Sequence, residues 1–179
     1  MAARRLNWGC GPRPAPGWTN ADRIVAPGID VSGDVRDGLA LASDSFDYAV
    51  AIHALQDVPW LDVPVALGEL RRVLRRGGVL RLALPDLDRA IDAYRRNDHA
   101  YFYVPDAHAR AIGAKLVAQI IWYGSVRTPC TYDAIAERLL DAGFHDVRRA
   151  AFRETTTRHA DIVELDNRER ESFFVEATK

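Results

Sequence analysis

Two glycines one residue apart, Gly9 and Gly11, follow a short apolar run in Leu6-Asn7-Trp8-Gly9-Cys10-Gly11-Pro12. Without a Cβ, the backbone can turn sharply and a ligand can lie against the main chain. At the carboxyl end of a strand in an open α/β sheet, such a turn makes a cofactor site. Two carboxylates follow, each at the end of a further candidate strand. Asp22 closes Trp18-Thr19-Asn20-Ala21-Asp22, and Asp34 lies in Asp30-Val31-Ser32-Gly33-Asp34-Val35. A carboxylate placed like Asp22 can accept hydrogen bonds from both hydroxyls of a ribose, and its plainer role is to pair with Arg23. Asp34, with Asp30 and Asp37 close by, could instead close an Asx turn at Gly33. The fourth candidate strand runs into His53. Histidine titrates near neutral pH, so His53 is a candidate general base toward a hydroxyl; the plainer role is to shape a pocket.

With the arginine-rich stretch before Gly77-Gly78 and the run Val79–Pro85, these motifs resemble the class I S-adenosylmethionine (SAM)-dependent methyltransferases. The chain is most similar to small members whose first motif reads Leu-Asn-hydrophobic-Gly-Cys-Gly, followed by a proline-rich loop and Gly-Trp-x-Asn-x-Asp. The resemblance covers residues 4–90 and takes in Asp141-Ala142-Gly143-Phe144 and the run from Glu171 to Ala177. It implies SAM as cofactor, held by Asn7, Gly9, Cys10, Gly11, Asp22, Asp34, Val35, His53 and Leu55. The Gly9-Cys10-Gly11 backbone would approach the methionine part, Asp22 the ribose, and Asp34 the adenine amino group, with the Val35 backbone facing the ring. His53 would face the methyl group and the acceptor. Many relatives read Ser-His-x-Leu-Glu-His after the fourth strand, where this chain has Ile52-His53-Ala54-Leu55-Gln56-Asp57. The Glu-His pair is thus Gln56-Asp57. The loop Tyr123-Gly124-Ser125 also lacks the histidine that often follows in relatives.

The elements that must position these residues are legible in the patterning. Strands are expected at 4–8, 18–24, 29–32, 46–52, 79–84, 145–152 and 171–178. A helix over 63–76 buries Val63, Leu67, Leu70, Val73 and Leu74, with Arg71, Arg72, Arg75 and Arg76 at its negative end and Gly77-Gly78 stopping it. A second helix, 87–97, has Asp86 as cap and Leu87, Ala90, Ile91 and Tyr94 inward. Helices over 106–122 (Ile112, Leu116, Ile120 and Ile121 buried) and 132–142 (Thr131 as cap, Ile135, Leu139 and Leu140 apolar, Gly143 as terminator) complete the set. Pro12, Pro14 and Pro16 leave no room for a helix between the first two strands. That weakens a pyrophosphate site, which leans on a helix N-terminus. Strands alternating with helices give an α/β fold. By resemblance it is a Rossmann-like three-layer sandwich with a mostly parallel seven-stranded sheet, order 3-2-1-4-5-7-6, the last strand antiparallel and the first helix short or absent.

At 179 residues the chain suits one domain, 1–179, with 98–131 as lid or acceptor-pocket segment. Tyr101 to Tyr103, Trp122 and Tyr123 are candidates for that pocket or for core. Net charge is −1, which gives no reason to expect a nucleic-acid partner. Two cysteines, Cys10 and Cys130, make no disulfide framework or zinc spacing, and no metal is expected. Cys10 is either a reactive thiol or a small packing residue. His99, His108, His145 and His159 read as surface or capping residues. The N-terminus lacks the apolar core of a signal peptide, and no apolar run would span a membrane, so a cytoplasmic protein is expected. The expected activity is methyl transfer from SAM to a small molecule or saccharide. The alternatives are a methyltransferase-fold binding module without catalysis, and a subunit that needs a partner, a second copy included. An NAD-dependent oxidoreductase lacks the third glycine, since Pro14 stands there.

Overall fold

The computed structural model describes residues 3–179. Its sheet contains β1 (Arg5–Trp8), β2 (Thr19–Asp22), β3 (Val31–Ser32), β4 (Phe46–Ile52), β5 (Leu74–Pro85), β6 (His145–Ala150) and β7 (Ser172–Thr178). They lie in the order β3-β2-β1-β4-β5-β7-β6. β1 pairs parallel with β2 and β4, and β7 enters antiparallel between β5 and β6. The order and the reversed last strand are those the resemblance implies. The helices are α1 (Val63–Val73), α2 (Leu87–Arg95), α3 (Ile112–Ile121) and α4 (Tyr132–Asp141).

No helix forms between β1 and β2. Buried Asn20 does a helix's work there. Its amide donates to Ala15 O and Trp18 O at 3.0 and 3.2 Å, and its Oδ1 accepts from Ala15 N at 2.8 Å and Asn7 Nδ2 at 2.9 Å. A side-chain amide can donate and accept at once. One residue therefore ties the proline loop to both strands.

The two faces of the sheet are covered differently. Leu80, Leu82 and Leu84 of β5, with Phe173 and Val175 of β7, pack in one core with Leu67, Leu70 and Val73 of α1 and Ile135 and Leu139 of α4. On the opposite face Tyr48, Val50 and Val79 meet Trp18 and Ile162. Ile162 belongs to an irregular stretch, 151–171, that contains only short 3-10 turns. Side chains alternate along a strand, so Arg81 points to that second face. It is fully buried there, paired through Nε and Nη2 with Asp166 at 2.8 and 2.5 Å and through Nη1 with Glu176 at 2.7 Å.

Several local expectations are corrected. α1 stops at Val73: Leu74 is already extended and pairs with Phe46, so Arg75 and Arg76 belong to β5. Gly77, at φ +71°, bends that strand and donates to Lys179 O. In α2 the buried residues are Ala90 and Ala93, whereas Tyr94 is exposed, although Asp86 does cap the helix by accepting from Arg89 N. α3 starts six residues late, and its buried residues are Lys115 and Gln119, with Ile121 exposed. The reason is hydrogen bonding within the segment. Lys115 Nζ reaches Val104 O at 2.8 Å and Asp106 at 2.6 Å, and Gln119 Oε1 accepts from Tyr103 N at 2.7 Å. Ile112 and Leu116 only flank a small cluster of Ala90, Ala93, Tyr101 and Phe102. In α4, Leu140 faces solvent and Thr131 makes no backbone cap, while Gly143 at φ +87° ends the helix as expected.

Removing Arg81 strands two buried carboxylates. Arg81→Met should cost about 3–5 kcal/mol in urea unfolding, the range for breaking a buried ion pair from one side. A loss under about 1 kcal/mol would show that the network is not holding the second face.

Candidate functional site

A cavity of about 400 Å³ opens at the carboxyl ends of β1, β2 and β3, lined by Gly9, Gly11, Asp22, Asp34, Val35 and His53 among others. Six of the nine residues expected around a cofactor thus share one concavity. Asn7, Cys10 and Leu55 stand behind its wall. Asn7 is buried and bonded to Asn20, and Leu55 is 1% exposed in the main core. Cys10 is half-buried, and burial followed by Asp22 raises its pKa. That favours the packing role over a reactive thiolate.

The glycine turn has separate local reasons at each position. Gly9, at φ +69°, donates to Ala21 O at 2.8 Å, and a Cβ there would fall 2.2 Å from the Ala54 Cβ. Gly11, at φ +57°, meets nothing within 4 Å, and its N–H donates to Asp22 Oδ2 at 2.7 Å. Asp22 Oδ1 also accepts from Ile24 N at 3.2 Å. This carboxylate therefore shapes the turn while facing the cavity. Of the three acids near the third strand, Asp34 lines the cavity, whereas Asp30 accepts from Asn20 N. The Arg36 guanidinium grips Asp34 with Nε at 2.9 Å and Nη2 at 2.7 Å and holds its pKa down to about 2.

His53 closes β4 in a left-handed conformation, φ +53°. Its Nε2 lies 2.7 Å from Ser172 Oγ, and Arg168 Nη1 lies 3.3 Å from Nδ1. Arginine can only donate, so Nδ1 accepts and the ring proton sits on Nε2. Burial, and then Arg168, push the His53 pKa down to about 3. The ring is neutral with both nitrogens engaged. To take a proton it would have to release one of those partners.

A second cavity, about 220 Å³, adjoins the first. Its walls include Asp86 after β5, Tyr101 and Gln119 from the 98–131 segment, Trp122, and Arg168 and Glu171 before β7. Two residues line both cavities, His53 and Asp57. Tyr103 and Tyr123 stay exposed and outside it, and Phe102 is core. Asp57 was visible in sequence only as a departure from the relatives' Glu-His pair. Arg168 carries no motif and Glu171 only opens the matched run into β7; both come to the site because β7 runs antiparallel. His159, expected at the surface, is buried against Tyr48 at 4.8 Å, and desolvation lowers its pKa.

Two outcomes follow from this geometry. Gly9→Ala should cost about 3 kcal/mol, combining left-handed strain with overpacking, against about 1 kcal/mol for Gly11→Ala. Ala54→Gly should restore part of the first loss, and thermal melts of the double variant test this. His53 in the unfolded chain takes up a proton below about pH 6.5, which the folded chain refuses until about pH 3. Stability is thus complete above that window and falls as the pH drops through it, by about 1.4 kcal/mol per pH unit from this group. In His53→Gln that contribution should vanish from urea unfolding curves measured between pH 6 and pH 4. An unchanged pH slope would contradict it.

A family model described as a methyltransferase domain matches residues 16–82. No curated protein is similar enough in sequence to match the chain. Among solved structures, a SAM-dependent methyltransferase of Thermotoga maritima is 18% identical, with a TM-score of 0.61 over 100% of this chain and 83% of that one. One from Mesorhizobium loti is 19% identical, TM-score 0.57, over 99% and 91% of the two chains. One from Archaeoglobus fulgidus is 13% identical, TM-score 0.57, over 99% and 87%. At these identities what is shared is the fold. The matched segment runs from the proline loop into β5 and includes Asp22, Asp34, His53 and Asp57. That segment is similar to a methyltransferase domain, and over the rest of the chain the likeness is one of fold.

Proposed function

We propose that this chain is a SAM-dependent methyltransferase acting on a small-molecule acceptor. The observation that carries this reading is the pair of cavities meeting at His53 and Asp57. Methyl transfer needs a cofactor site and an acceptor site that share a wall.

The residues present fit SAM. The first cavity, at about 400 Å³, lies within the range of small-molecule sites, roughly 300–1,000 Å³. The Gly9-Cys10-Gly11 backbone would hold the methionine part, Asp22 the ribose, and Asp34 with Val35 the adenine. Asn7 and Leu55 support that wall from behind. When bound, SAM supplies a methyl group already activated on a sulfonium. What remains for the chain is to orient the acceptor and keep water out. His53, neutral and fixed by Ser172 and Arg168, serves as a positioned wall at the junction. The second cavity, at about 220 Å³, suits a small molecule better than a saccharide chain. Tyr101, Gln119 and Trp122 make the 98–131 segment part of that acceptor site.

Calorimetric titration with SAM, S-adenosylhomocysteine and NAD tests the reading. Both sulfur compounds should bind and NAD should not. Asp22→Asn should weaken S-adenosylhomocysteine by about thirtyfold, the worth of a charge-assisted hydrogen bond of about 2 kcal/mol. A folded chain that ignores both sulfur compounds, or prefers NAD, would refute it.

A further inference from the structure

The second cavity is crowded with acceptors. Three carboxylates line it: Asp57, Asp86 and Glu171. Asp86 is already committed, capping α2 and pairing with Arg89 at 3.2 Å. Glu171 is only loosely matched, with Arg168 Nη1 at 3.7 Å. Asp57 has no ion-pair partner among the described residues, although Arg23, Arg127 and Arg168 are near enough to act on it. Burial nevertheless raises the pKa of both Asp57 and Glu171.

A second, independent observation points to a missing donor. Gln56 lines the same cavity, is only 5% exposed, and its Oε1 is buried with no hydrogen-bond partner. Leaving a buried acceptor unsatisfied costs about 1–3 kcal/mol. Native proteins rarely tolerate that unless a ligand or water completes the bond. Tyr101 and Trp122 add aromatic surface to the same walls. Such rings attract cations.

We propose that the acceptor is an amine, bound as its ammonium form against Gln56 Oε1, Asp57 and Glu171; this rests on the methyltransferase reading above. An alcohol brings one donor and no charge. An anion would face the carboxylates and find only Arg168, which is already engaged with His53 and Glu171. A metal ion does not fit, because no three His, Cys, Asp or Glu side chains among the described residues converge to hold one. The size and the polarity of the cavity therefore agree on a small organic cation.

The proton balance assigns Asp57 a role. An ammonium has no free electron pair, so it must first give a proton to a carboxylate. Asp57 is the one carboxylate that lines both cavities. The freed pair on nitrogen then forms the new N–C bond as the S–C bond breaks, and that bonding pair stays on sulfur, cancelling its positive charge. Nitrogen ends with the positive charge, and the proton leaves Asp57 for solvent. A carboxylate with a raised pKa is the better proton acceptor for this.

The test compares three probes of one shape on protein saturated with S-adenosylhomocysteine: benzylamine, benzyl alcohol and benzoate, titrated by calorimetry. Benzylamine should bind about tenfold tighter than either of the others, the margin of a charge-assisted bond over a neutral one. Asp57→Asn and Glu171→Gln should each remove most of that preference and leave benzyl alcohol unmoved. If Asp57→Asn does not fold, Glu171→Gln carries the comparison alone. Equal or tighter binding of the alcohol or benzoate, no benzylamine binding up to tens of millimolar, or an unchanged preference in the variants would overturn the amine assignment. A chain that cannot be saturated with S-adenosylhomocysteine would instead defeat the methyltransferase reading beneath it.

Discussion

A single guanidinium holds one face of this molecule together. Arg81 has five N–H donors and uses all of them inside the protein: two on Asp166, one on Glu176, one on Glu154 O and one on Ala151 O. It also lies over the Phe174 ring, 5.1 Å from the centroid. A buried charge is tolerated only when its bonds are complete, so the chain from Ala151 to Asp166 is drawn across the sheet to complete them. That stretch replaces the helix layer that would otherwise cover the face. Where it leaves Asp166, Arg168 and Glu171 emerge beside His53. The composition of the second cavity is thus decided partly by an ion network in the middle of β5.

The junction between the cavities rests on an equally local constraint. Gly9 and His53 both adopt left-handed backbone conformations, and the two turns touch through Ala54. The close approach needs a residue without a Cβ on one side. It brings the β1 turn and the β4 end together, so that Asp57, one short 3-10 turn farther on, can reach both spaces.

Much of this was legible in the chain itself. Apolar runs marked the strands because a parallel sheet covered on both faces is nearly all apolar, as in β4, where only Asp47 breaks the run. The three prolines before Gly17 announced the missing first helix. The strand order came through resemblance rather than periodicity. The failures are physical too. Arg75 and Arg76 read as a helix end because arginine suits either state, and only pairing of Leu74 with Phe46 decides it. The inward face of α3 was misread because Lys115 and Gln119 find backbone partners eleven and sixteen residues upstream. Such contacts leave no periodic trace. The burial of Arg81 has no local signal either, since its carboxylates lie 85 and 95 positions away. Of the site, the glycine turn and both β-strand acids were readable, while Arg168 and Glu171 depend on the direction of β7.

The small cluster of Ala90, Ala93, Tyr101 and Phe102 is separate from both sheet cores. It joins α2 and α3 into a panel with an interior of its own. The panel is tied at its two ends to the turns that flank the sheet: Asp86 N donates to Glu171 O, and Arg127 N and Thr128 N both donate to Gln56 O at 2.9 Å. Between those two places Arg89 Nη1 donates to Glu169 O and Arg170 O, and the Arg170 guanidinium lies over the Tyr101 and Tyr103 rings, so the panel is fastened to the segment before β7 along its length. The second cavity thus borrows a wall from a panel whose apolar packing is its own, while the first is walled by the turns after β1, β2 and β4.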